Sequence, residues 1–114
     1  MSYIVNIKTH SRENVDLTVY ENILEEPIQR IFFLTNLKEG SIRGGNIAVN
    51  AYEGIICVKG YCEVHVCKDK EDILYILDSP NKCLIIEPYE WHQISQFEDD
   101  SILLAFSNKK YNEF

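Results

Sequence analysis

The sequence predicts an all-β fold, one jelly-roll-like barrel or sandwich in a single domain over 1–114, and three observations carry that prediction. Short β-rich runs, about ten of them, recur at regular spacing, separated by polar or glycine-containing turns. Several alternate apolar and polar residues with the period of two of a pleated strand. With 114 residues, 46% hydrophobic and 25% charged, the chain can bury one core and is too short for two.

In chain order, residues 3–7 and 15–20 are β-rich and predict a hairpin closed by the polar stretch Ser11-Arg12-Glu13-Asn14. Residues 21–27 predict one helical turn, and 28–35 a strand centred on Arg30-Ile31-Phe32-Phe33-Leu34. Gly40, Gly44 and Gly45 predict a loop over 38–45, with the next strand over 46–50. The run Ile55-Ile56-Cys57-Val58 is continuously apolar, so a strand over 54–59 is covered on both faces. After a tight turn at Gly60, residues 61–67 alternate: Tyr61, Glu63, His65 and Cys67 share one face, and Cys62, Val64 and Val66 the other. A charged tip over 68–72 leads to a return strand, 73–77, then a turn at Asp78-Ser79-Pro80-Asn81 and a buried strand over 83–86. Glu87-Pro88-Tyr89-Glu90 is a turn before strands over 91–97 and 101–107, and a polar tail holds Tyr111 and Phe114.

The formal net charge of −7 argues against nucleic acid or an anionic membrane as partner, since both need clustered Lys and Arg. A small phosphorylated ligand needs only two or three local arginines. The N-terminal residues show no basic start followed by an apolar run, and no apolar stretch approaches membrane-spanning length, so a cytoplasmic location is expected. Cys57, Cys62, Cys67 and Cys83 follow one another at five or more residues without paired histidines, unlike a zinc ribbon or finger, and are read as free thiols.

Glu53 is followed after six residues by Gly60, and Pro88 precedes His92 by four. These spacings resemble the two motif blocks of cupin barrels, which implies a cupin-type jelly-roll barrel. Counting back from Glu53 brings the block's His-x-His pair to Asn46 and Ala48. A narrower set, Arg30-Ile-Phe-Phe, Arg43-Gly44, Gly60-Tyr-Cys-Glu-Val, Leu77-Asp-Ser-Pro, Pro88-Tyr-Glu-Trp91-His92 and Asp100-Ser-Ile-Leu-Leu-Ala, is similar to the WxcM-like dTDP-4-keto-6-deoxyhexose 3,4-ketoisomerases. The resemblance runs over roughly residues 28 to 108.

That resemblance implies a nucleotide-sugar ligand, no cofactor, and acid–base histidines where this chain has Asn46 and Ala48. Moving a ketone from C4 to C3 needs a base for the C3 proton and an acid to return a proton to C4. Asn46 hydrogen-bonds but does not titrate, and Ala48 does neither. Replacement acid or base candidates are His92, Tyr89 and Glu90. Ligand-binding candidates are Arg43 and Arg30 for a diphosphate, with Asn46, Glu53 and Tyr52 around the sugar or base. Tyr61 and Tyr89 are further stacking candidates, His65 reaches the cavity only if its face turns inward, and His10 is placed at the surface. No metal is expected, because Glu53 and His92 are too few donors to close a cupin first shell.

Three functions stay open at this point: a nucleotide-sugar-binding cupin without the family's chemistry, an isomerase or epimerase using another base, and a protein-interaction module. The resemblance also implies a homodimer with strands exchanged between subunits through the N-terminal hairpin.

Overall fold

In the computed structural model residues 1–110 are described, apart from the side chain of Asn46. The tail with Tyr111 and Phe114 lies outside the described residues. The described residues form eleven strands: β1 (Tyr3–Asn6), β2 (Thr9–Arg12), β3 (Val15–Thr18), β4 (Arg30–Leu34), β5 (Arg43–Ile47), β6 (Glu53–Lys59), β7 (Cys62–Lys68), β8 (Glu71–Leu77), β9 (Lys82–Ile86), β10 (Trp91–Ser95) and β11 (Ile102–Ser107). Every pairing is antiparallel. One sheet has the order β1-β9-β6-β11-β4, a second β5-β10-β7-β8, and β2-β3 stands as a separate two-stranded ribbon. The all-β barrel expected from the sequence is therefore present.

Alternation explains how the two larger sheets close on each other. Ile55 and Cys57 of β6 point into the barrel with Val64 and Val66 of β7, Leu84 and Ile86 of β9, Ile94 of β10 and Leu103 of β11. Ile56 faces the opposite way, into a second cluster with Cys83, Ile85 and Phe106 that Tyr20, Ile23 and Leu24 cover from outside. The continuous apolar run of β6 is thus covered on both faces, as its composition requires. Gly54 is needed where β6 passes Phe106, because a Cβ there would lie 2.2 Å from the ring.

Three sequence expectations change. The N-terminal hairpin forms between β2 and β3, not between residues 3–7 and 15–20. Residues 9–12 carry no apolar pattern, yet Glu13 and Asn14, at φ 52° and 62°, make the two-residue turn that pairs them with β3. The apolar Ile4 and Val5 of β1 pair with β9 instead, extending the main sheet. Residues 21–27 form bends and no helical turn. Asn22 adopts φ 54°, and the successive Ile23 and Leu24 both pack onto the outer cluster, which irregular backbone permits.

The third change concerns the glycines. The strand expected over 46–50 is β5, Arg43–Ile47, and it incorporates three of the residues read as loop, Arg43, Gly44 and Gly45. Its register with β10 pairs His92 with Asn46 but Gln93 with Gly44, so Gly45 is the extra residue of a β-bulge. Gly44 and Gly45 have φ 84° and 88°, and a Cβ on Gly44 would lie 2.9 Å from the His92 carbonyl oxygen. Among the described residues no helix is long and apolar enough to cross a membrane.

Candidate functional site in the barrel mouth

Between the two sheets lies a cavity of about 450 Å³, within the range of small-ligand sites, lined from both sides of the barrel. From the five-stranded sheet, β4 contributes Arg30, Phe32 and Leu34, its alternate residues, while β6 contributes Glu53 and Ile55 and β11 contributes Leu103 and Ala105. The four-stranded sheet contributes Arg43 and Gly44 of β5 with His92 and Ile94 of β10. Apolar walls with a few polar groups are the usual make-up of a small-molecule site.

The polar groups divide into two kinds. Arg30 and Arg43 are the cations, with the Arg30 guanidinium carbon 4.9 Å from the Phe32 ring centre, a cation–π contact. Arg43 is solvent-exposed and reached from the bulge. Glu53 and His92 are both buried, with Glu53 Oε2 3.9 Å from His92 Nε2. At that distance there is no direct hydrogen bond, and the two form an ion pair only when His92 is protonated.

His92 Nδ1 is buried and has no hydrogen bond of good geometry. Burial lowers its pKa from the ordinary 6.5, opposed by the Glu53 carboxylate and by the Glu90 backbone and carboxylate nearby. The lowered pKa leaves the ring neutral at pH 7, the protonation state of a general base.

The remaining candidates lie elsewhere. Glu90 does not line the cavity: it is fully buried, and its carboxylate accepts hydrogen bonds from the backbone N–H of Ser2 at 3.0 Å and of Glu87 at 2.7 Å. That carboxylate closes the 87–90 turn and ties down the N-terminus. Tyr89 is 62% exposed at φ 68°, and its N–H donates to the Ala48 carbonyl at 2.9 Å. Tyr52 borders a separate cleft with Tyr3, Ile23, Glu87 and Asn108. Asn46 is the register partner of His92, its side chain lying outside the described residues, and Ala48 is buried just beyond β5. His65 faces outward, and His10 is exposed on β2.

The sequence reading missed the apolar wall of Phe32, Leu34, Ile94 and Leu103. The period-two rule applied to β4 would have found its part, since Arg30, Phe32 and Leu34 alternate with Ile31 and Phe33. Among the described residues, the only group of three His, Cys, Asp or Glu side chains close enough to share a cation is His65, Cys67 and Asp72, remote from this cavity.

A depressed histidine pKa has a defined effect on stability. The unfolded chain binds the His92 proton more readily, so the folded state loses stability as pH falls below the ordinary value, until pH passes the folded-state value. Urea unfolding at about pH 7.5 and about pH 5.5 is expected to show a larger stability loss in the wild type than in His92→Gln. Equal losses would mean that His92 is not held below its ordinary value.

The fold and site can be set beside known proteins. A 3,4-ketoisomerase from Helicobacter canadensis superposes with a TM-score of 0.92 at 25% identity, over 98% of this chain and 86% of that one. A TDP-fucose-3,4-ketoisomerase from Campylobacter jejuni superposes with a TM-score of 0.89 at 31% identity, over 98% of this chain and 84% of the other. The TDP-4-oxo-6-deoxy-alpha-D-glucose-3,4-oxoisomerase of Aneurinibacillus thermoaerophilus is 28% identical over 87 residues, 75% of this chain, and the match spans 62% of that relative's length. All of residues 1–114 match the FdtA family, described as WxcM-like, C-terminal, and the chain belongs to that family.

Proposed function

We propose that the barrel cavity binds a nucleoside-diphosphate keto-deoxyhexose of the dTDP-4-keto-6-deoxyhexose class, and that the chain serves deoxysugar biosynthesis as a nucleotide-sugar-binding protein without the family's paired acid–base histidines. The observation that carries this reading is the convergence of Arg30, Arg43, Glu53 and His92 on one apolar-walled cavity. Two guanidiniums suit a diphosphate, which accepts bidentate hydrogen bonds, and Glu53 is placed to accept from a sugar hydroxyl. Family membership supports the ligand class, and the placement of these residues supports the way it would be held.

A second reading is favoured by one specific observation, the buried His92 ring 3.9 Å from Glu53 in the cavity wall, where burial favours its neutral form. There His92 takes the C3 proton of the 4-keto sugar, the C3–H electrons form the C3–C4 double bond of an enediol, and the C4 oxygen gains a proton. Return of a proton to C4 and loss of one from the C3 hydroxyl then leave the ketone at C3. Tyr89 and Glu90, the other acid–base candidates, do not line the cavity.

Thermal shift with millimolar dTDP and dTDP-4-keto-6-deoxyglucose is expected to stabilise the wild type. Arg43→Ala is expected to weaken binding about 10- to 100-fold, the size of one charge-assisted contact. No stabilisation by either ligand contradicts both readings. Deuterium incorporation at C3 in heavy water separates them: none with ligand bound supports the binding protein, and exchange lost in His92→Gln supports the isomerase.

We also propose that the chain works as a homodimer. Strand β4 is an edge of its sheet with Ile31 and Phe33 64% and 66% exposed, and the separate β2-β3 ribbon exposes Val15 and Leu17. A second copy covers both, with the ribbon reaching across the interface. Sedimentation equilibrium is expected to give a dimer that Phe33→Asp shifts toward monomer; a monomeric wild type contradicts the proposal.

A further inference from the structure

We propose that the outer face of the β7-β8 hairpin holds a single zinc-type divalent cation between His65, Cys67 and Asp72, a site separate from the sugar cavity. The donor atoms already converge. His65 Nε2 and Asp72 Oδ1 are in direct contact, and Cys67 Sγ lies 3.8 Å from the imidazole nitrogen and 3.6 Å from the carboxylate oxygen. All three atoms fall within 4.8 Å of one another. Tetrahedral zinc, with bonds of about 2.0–2.3 Å, sets its ligand atoms about 3.4–3.6 Å apart. The two sulfur separations stand at or just beyond that spacing. The His65 and Asp72 side chains are 40% and 60% exposed, so they are free to part by the small rotation that admits an ion.

Backbone register makes the arrangement durable. Cys67 and Asp72 are direct cross-strand partners near the tip of the hairpin, and His65 lies two residues before Cys67 on the same face of β7. Trp91 of β10 is the other cross-strand partner of Cys67, and its ring meets His65 edge-on at 87° with centres 5.9 Å apart. The imidazole is therefore packed on one side before any ion arrives, as a preformed ligand requires.

The donor set selects the ion. One imidazole, one thiolate and one carboxylate suit Zn²⁺ or Co²⁺, whereas Mg²⁺ and Ca²⁺ prefer oxygen alone. Three protein ligands leave a fourth position for water on the solvent side. Without an ion the same three residues form a His65–Asp72 pair with the Cys67 thiol donating to the Asp72 carboxylate, whereas with an ion the thiol is a deprotonated ligand. The thiol is what separates the two accounts.

The full chain, first treated with chelator, is titrated with Co²⁺ and then with Zn²⁺. One equivalent of Co²⁺ is expected to produce a sulfur-to-cobalt charge-transfer band and to quench the fluorescence of Trp91, the chain's single tryptophan, and Zn²⁺ is expected to reverse both. Cys67→Ser is expected to abolish the charge-transfer band, and Asp72→Asn to weaken binding at least about tenfold. Circular dichroism is expected to be unchanged in both variants, because neither position is in the core. Absence of the band in the wild type, or its survival in Cys67→Ser, overturns the site.

Discussion

Strand β10 runs between β5 and β7, and its period of two sorts the chemistry of the molecule. His92 and Ile94 turn inward to the cavity, while Trp91 and Gln93 turn outward. A one-residue slip would exchange the two sets, moving the histidine to solvent and the tryptophan into the barrel. The register is held on one side by five successive pairs with β7 and on the other by the Gly44-Gly45 bulge, where β5 approaches the His92 carbonyl too closely for a side chain. That bulge also sets Arg43 at the mouth, so the cation that would meet a diphosphate and the ring that would meet a sugar depend on one pairing.

Burying polar groups in this barrel is costly unless they are satisfied, and Glu90 meets that demand where His92, whose Nδ1 has no hydrogen bond of good geometry, does not. Glu90 accepts two backbone N–H groups and becomes part of the framework of a turn. Glu53 and His92 face each other at 3.9 Å, with the histidine answering burial by releasing its proton. A carboxylate satisfied by amides is a structural member, while a neutral ring facing open volume can still accept a proton. The turn that Glu90 fixes leads directly into β10, so the carboxylate held by amides and the histidine that faces the cavity stand two residues apart.

The barrel was legible in the sequence because its strands are short, regularly spaced and divided by strong turn residues. The two-sided burial of β6 could be read from four successive apolar residues, and the alternation of β7 from Cys62 to Cys67. What escaped was encoded by backbone conformation rather than hydrophobicity. Strand β2 is Thr-His-Ser-Arg and forms because of the turn after it, and Gly44 and Gly45 read as loop although they belong to a bulged strand. In the site, the resemblance to a family singled out Arg30, Arg43, Glu53 and His92, which the fold brings together. Neighbours in sequence such as Tyr89 and Glu90 were drawn in by proximity to His92, and the turn sends them elsewhere. The His65–Cys67–Asp72 group is invisible to motif spacing, because it is assembled across a hairpin.

The chain's three histidines occupy three different places: His92 in the cavity, His65 beside Trp91 on the outer face, and His10 on the β2-β3 ribbon. Imidazole-resolved NMR of the full chain, with and without dTDP-4-keto-6-deoxyglucose, therefore reports directly whether the proposed ligand binds and at which histidine. The account predicts that the His92 resonances shift while those of His65 and His10 stay in place. Shifts at His65 or His10 with His92 unmoved would contradict it.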